Sequence, residues 1–200
     1  METPKTIVTR LDDLDFSKAY TYYDYLTWQF DEMVELIKGK IFPMSPVPST
    51  NHQQIILNLS LLFGNYLKGK FCKVFPAPFD VRLSVNGKEN TVVQPDLCVV
   101  CDLEKLDAKG CKGAPDLIIE IVSKNNVRHD THRKLKLYEE AGVKEYWIVL
   151  PSDQTVLVCL LGDEGKYEIS RPYTIGDIVQ TSTFPELSVD LKEAFDVLEF

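Results

Sequence analysis

The chain has 200 residues, with 22 Lys plus Arg against 30 Asp plus Glu, a formal charge of −8 and a pI near 4.9. Hydrophobic residues make up 44% and charged residues 26%, which excludes a disordered chain, and no run reaches the ~18–20 apolar residues of a membrane helix. An acidic chain repels phosphate overall, which excludes general basic attraction to nucleic acid and leaves room only for a local patch.

At roughly 150 residues per domain, a single domain over 1–200 is expected. Met1 to Asp15 has scattered charges and no apolar stretch, so no secretory signal is read there and a cytoplasmic protein is expected. The five cysteines (Cys72, Cys98, Cys101, Cys111 and Cys159) are odd in number, so buried thiols are expected rather than a disulfide framework. Cys98 and Cys101 form a C-x-x-C, but inside an apolar run that reads as a strand, where residues three apart point to opposite faces.

In chain order, Ser17 to Phe30 is aromatic-rich and reads as a short helix packed on the core; stacking on bases is the sharper alternative. Met33–Lys38 and Lys40–Ser45 read as a hairpin turning at Gly39 and ended by Pro46 and Pro48. Thr50-Asn51-His52-Gln53 has capping-box spacing. It opens a helix whose stripe is Ile55, Ile56, Leu59, Leu62, Phe63, Tyr66 and Leu67. Phe71–Ser84 reads as a strand broken by Pro76 and Pro78, Asn86-Gly87 as a hairpin turn, and Thr91–Cys101 as the returning strand. Asp102–Ala114 reads as a polar loop. Asp116–Val122 is an almost unbroken apolar run, a strand buried on both faces. Asp130 can cap a helix over Thr131–Ala141 that ends at Gly142, and Glu145–Leu150 is a further strand, which together predict a parallel crossover. Hairpins from Thr155 to Phe184 and a short helix near Asp190–Phe195 complete an α/β or α+β chain with a mixed sheet.

Two acids stand where acids are costly. Glu120 interrupts the buried run, and an unpaired buried carboxylate costs several kcal/mol or shifts its pKa. Asp96 follows Pro95 inside another apolar strand, where pairing breaks and a side chain can be re-aimed. Two such carboxylates suit a hard cation, Mg²⁺ or Mn²⁺; the plainer reading is a structural salt bridge. Lys124 to Lys136 holds five cations and one acid, a local charge of +4 that leaves the remainder at −12. A run of this kind is usually a solvated helix face. Here it directly follows the Glu120 strand, and acids beside a basic residue suit metal-assisted phosphodiester hydrolysis.

The succession Val34-Glu35-Leu36-Ile37-Lys38-Gly39, Met44-Ser45-Pro46, His52, Gln94-Pro95-Asp96 and Gly113 to Ser123 continues with Asp130, Lys134-Leu135, Tyr138, Ala141-Gly142-Val143 and Glu145-Tyr146-Trp147. From about Tyr22 to Phe195 it resembles the Uma2 family, restriction-endonuclease homologues of the PD-(D/E)XK nuclease fold. The resemblance implies a restriction-endonuclease-like mixed β-sheet flanked by helices, and a Mg²⁺-dependent (or Mn²⁺-dependent) endonuclease acting on DNA. It implies that Asp96 and Glu120 are the metal-binding acids. Val122 stands where the motif lysine would be, and Lys134 resembles the lysine that has migrated to a helix in other branches. Glu35 resembles an N-terminal acid that joins the metal site. Lys124 shares the strand parity of Glu120 but is not the family's lysine. The helix phase predicts that Lys134 reaches Glu120 or Asp96, and that Lys134→Ala stops catalysis while sparing the fold. A homodimer is expected, since duplex cleavage needs two sites. The alternative is a non-catalytic dimerising or nucleic-acid-binding module of the same fold.

Overall fold

Three sheets account for the apolar runs in the computed structural model, which describes residues 6–44, 49–122 and 127–198, the stretch 127–130 as backbone only. A four-residue helix, α1 (Tyr22–Tyr25), precedes β1 (Val34–Ile37), β2 (Lys40–Pro43) and the long helix α2 (Thr50–Leu67). There follow β3 (Lys73–Pro76), β4 (Val81–Val85), β5 (Lys88–Val93), β6 (Leu97–Val100), β7 (Leu106–Asp107), β8 (Gly110–Lys112) and β9 (Leu117–Ile121). Helix α3 (Val127–Ala141) leads to β10 (Glu145–Leu150) and β11 (Thr155–Leu161). The chain closes with β12 (Tyr167–Ile169), β13 (Tyr173–Thr174), β14 (Ile178–Gln180), β15 (Ser188–Asp190) and α4 (Leu191–Ala194).

One sheet has the order β2-β1-β5-β4-β8-β7 and the other β12-β11-β10-β9-β6-β3, with β13 beside β11 and β14–β15 as a separate hairpin. Strands β9 and β10 are parallel, joined through α3, as the sequence predicts. Alternation along β9 sends Leu117, Ile119 and Ile121 into a core shared with α2. Ile118 goes into a second core, where Leu137 and Tyr138 of α3 meet Ile37, Val81 and Val93 of the other sheet. Glu120, in phase with Ile118, therefore faces the seam between α3 and the two sheets.

Several elements differ from expectation, each for a local reason. The proline-bearing runs are not single strands. The chain crosses between sheets at Ala77–Phe79 and again at Gln94–Asp96, so β3 and β6 lie in one sheet while β4 and β5 lie in the other. The 102–114 loop carries the β7–β8 hairpin, and β8 runs parallel to β4. Helix α2 is capped by Ser49 rather than Thr50, the hydroxyl accepting from His52 N. Helix α3 begins at Val127, which puts Asp130 inside it instead of at its cap. The aromatic segment is held by a Thr21–Asp24 capping box, and Tyr22 and Tyr25 pack with Trp28 against Leu36 and Val92. Cys72 and Cys101 form a disulfide, contrary to the expectation of free thiols. Lys73 pairs with Val100 across β3 and β6, so the next residue outward on each strand faces the other; cysteine count carries no such register information. Cys98, Cys111 and Cys159 are buried thiols. Lys124, Pro46 and Pro48 lie outside the described residues.

Gly110 is the most tightly enclosed of the glycines. It adopts φ +117°, and a Cβ there would overlap the carbonyl oxygen of Asp80, which accepts from Cys111 N. Gly110→Ala is expected to lower unfolding stability by about 3 kcal/mol or more, because strain and steric overlap add. A urea midpoint unchanged from wild type would refute that account.

Candidate functional site

Three acids reach the seam by three different routes. β9 delivers Glu120, since its even-numbered residues face away from α2. β1 delivers Glu35, and the hairpin behind it is tight because Lys38 and Gly39 both take positive φ, 50° and 81°. Asp96 arrives at the crossing from β5 to β6, where Pro95 offers no N–H and the ladder stops.

Helix α3 supplies the cation. Lys134 donates to Glu120 Oε1 at 2.8 Å and lies 3.0 Å from Glu35 Oε1. One helical turn on, Tyr138 donates to the same Glu120 Oε1 at 2.6 Å. Gln94 N donates to Glu35 Oε1 at 3.1 Å. Asp96 Oδ2 accepts from Ile121 N at 2.7 Å and lies 3.3 Å from His52 Nε2, at the first turn of α2. In each carboxylate the described residues engage one oxygen. Among the described residues, the second oxygen of Glu35, Asp96 and Glu120 receives no partner.

The electrostatics follow from burial. Glu120 is 7% exposed, and removal from water is the main reason its pKa rises to about 7; Lys134 opposes the rise, while Asp96 and Glu35 add to it. Burial works against a charged Lys134, yet the two carboxylates outweigh it and raise the ammonium pKa. Tyr138 is pushed well above its ordinary value, first by burial and then by the Glu120 charge, so it stays a donor. Burial also disfavours a charged His52, but the Asp96 carboxylate prevails and raises the imidazole.

Glu35, Glu120 and Lys134 are thus in direct contact, and Asp96 is tied to the residue after Glu120. Among the described residues, no three His, Cys, Asp or Glu side chains are grouped so as to cage an ion by themselves. The donor chemistry nonetheless suits a hard cation of the Mg²⁺ type, which takes one or two carboxylates and completes its shell with water and substrate oxygens. Asp96 and Glu120 fit that limited role, whereas Glu35 serves Lys134. Sequence reasoning had no role for the Tyr138 hydroxyl or the His52 ring, because each reads equally well as packing or capping. Nor did it single out Asp80, whose Oδ1 accepts from Gln94 Nε2 at 2.8 Å and from Tyr25 OH at 3.2 Å beside the Glu35 corner. Other buried acids are structural. Asp116 holds Cys101 N and Lys144, and Glu145 holds Trp147 Nε1 and Thr183 N.

Comparison with known proteins bears on the family and the fold. The chain is 26% identical over 178 residues, 88% of both chains, to an uncharacterized protein of Synechocystis sp.. Its fold matches the crystal structure of a "putative nuclease belonging to DUF820" from Anabaena variabilis, with a TM-score of 0.68, 88% of this chain and 97% of that one covered. At 20% identity that likeness concerns the fold alone, a mixed α+β architecture. No helix among the described residues is long and apolar enough to cross a membrane. A family model described as "Putative restriction endonuclease" matches residues 22–192, and the chain belongs to that family, Uma2.

Proposed function

We propose that this protein is a Mg²⁺- or Mn²⁺-dependent endonuclease that hydrolyses DNA phosphodiester bonds at the Asp96–Glu120–Lys134 seam. One observation carries the reading: each acid is held through a single oxygen while the other oxygen receives no partner among the described residues. A purely structural carboxylate is better served by partners on both oxygens, as at Asp116.

Asp96 and Glu120 would hold the cation, and when bound it would polarise the phosphate and acidify the attacking water. Lys134 keeps its charge in a buried setting, so its ammonium can stabilise charge developing on the phosphoryl oxygens. Glu35 and Tyr138 restrict where that ammonium and the Glu120 carboxylate can lie. The basic residues of α3 offer the local attraction that an acidic chain otherwise lacks. We place the working form as a homodimer that presents one site to each strand.

The Glu35–Lys134–Glu120 contacts favour a second reading, in which the triad is a structural ion cluster in a non-catalytic module of the same fold. Supercoiled plasmid incubated with Mg²⁺ or Mn²⁺ separates the two. The nuclease reading predicts nicked and linear products that disappear with EDTA and in Asp96→Asn. Equal products from wild type and Asp96→Asn, or none from wild type over a range of metals and DNA substrates, would favour the structural module.

A further inference from the structure

No hydrogen bond joins His52 to Glu120 or Lys134 among the described residues, yet Ser49 caps the first turn of α2 and the His52 imidazole reaches the oxygen of Asp96 that Ile121 N already occupies. Those two contacts converge on Oδ2. With both contacts on Oδ2, Oδ1 receives no hydrogen bond among the described residues. The ring is itself largely enclosed, with a side-chain exposure of 16%, and its Nδ1 is buried with no partner among the described residues. A polar ring placed at such a cost, with one nitrogen unpaired and the other on an acid, is poorly explained as packing.

We infer that His52 is a positioning residue for the metal site, donating through Nε2 to Asp96 Oδ2 so that Oδ1 is presented to a divalent cation. The inference rests on the proposed metal-dependent function and assigns its outer support. Partners behind a metal-binding carboxylate commonly change affinity by about 10- to 100-fold when removed. Ile121 N does part of the same task. It is a backbone group and cannot be exchanged, which leaves His52 as the adjustable member.

Glutamine can place an amide N–H where the imidazole Nε2–H lies, whereas asparagine keeps the polarity but is too short to reach. The experiment is a thermal-shift titration with Mn²⁺ on wild type, His52→Gln, His52→Asn and His52→Ala, with folding of each variant checked in EDTA. The Mn²⁺ midpoint is expected to rise about 10- to 100-fold in His52→Asn and His52→Ala, and to stay within about threefold of wild type in His52→Gln. An unchanged midpoint in folded His52→Asn, or a midpoint in His52→Gln as weak as in His52→Asn, overturns the inference while leaving the metal site standing. Absence of any Mn²⁺ response in wild type overturns both.

Discussion

Lys134→Ala should lower unfolding stability by about 3–5 kcal/mol, the usual cost of breaking a buried ion pair by removing one partner. The ammonium lies 3.0 Å from Glu35 and 2.8 Å from Glu120, and the two acids are 5% and 7% exposed. Without it, two buried carboxylates lose the cation they share. Sequence reasoning expects Lys134→Ala to stop catalysis and spare the fold; the geometry revises the second half of that expectation. Chemical denaturation of Lys134→Ala and of the triple variant Glu35→Gln/Lys134→Met/Glu120→Gln provides the check. The triple variant should regain most of the loss, since neutral groups of similar volume replace the whole cluster. A loss below about 1 kcal/mol, the range of an exposed pair, would mean that solvent screens the triad.

Glu120→Gln should leave the fold nearly intact and lower the cleavage rate by more than about 100-fold, beyond what losing a supporting partner costs. The amide oxygen can still accept from Lys134 and Tyr138, so the hydrogen bonds that shape the seam survive. What disappears is the negative charge and the second carboxylate oxygen. Glu120→Ala is a poorer probe, because it leaves Lys134 with Glu35 alone and mixes stability with chemistry. Parallel rate and melting measurements on Glu120→Gln check this prediction. A rate within tenfold of wild type would remove Glu120 from the reaction.

Much of this arrangement was legible in the residues themselves. Glu120 stands out because a buried strand tolerates no idle acid, and the phase of α3 relative to Leu135 and Tyr138 places Lys134 at the edge of the buried stripe, within reach of the Glu120 strand. The Val34–Pro43 hairpin followed from Gly39, and the α2 stripe from its spacing. What escaped was information that only tertiary register creates. Pro95 marks a break in pairing, but nothing in the local sequence says that β5 and β6 then join different sheets. Cys72 and Cys101 meet because β3 and β6 pair in one particular register. His52 reads as part of a helix start until Asp96, from a distant segment, arrives against its ring. A tyrosine within a buried stripe reads as hydrophobic volume, and only the folded arrangement brings the Tyr138 hydroxyl onto Glu120.

Metal binding in the absence of DNA tests the central claim most directly. Titrating Mn²⁺ into the protein, with free Mn²⁺ followed by electron paramagnetic resonance, should show about one site per chain in wild type, on the two-carboxylate scheme for such ions. That site should vanish in Asp96→Asn/Glu120→Gln while the circular dichroism spectrum stays that of wild type. Equal Mn²⁺ uptake by the two proteins, or none by either, would contradict the assignment of Asp96 and Glu120 as the cation's ligands.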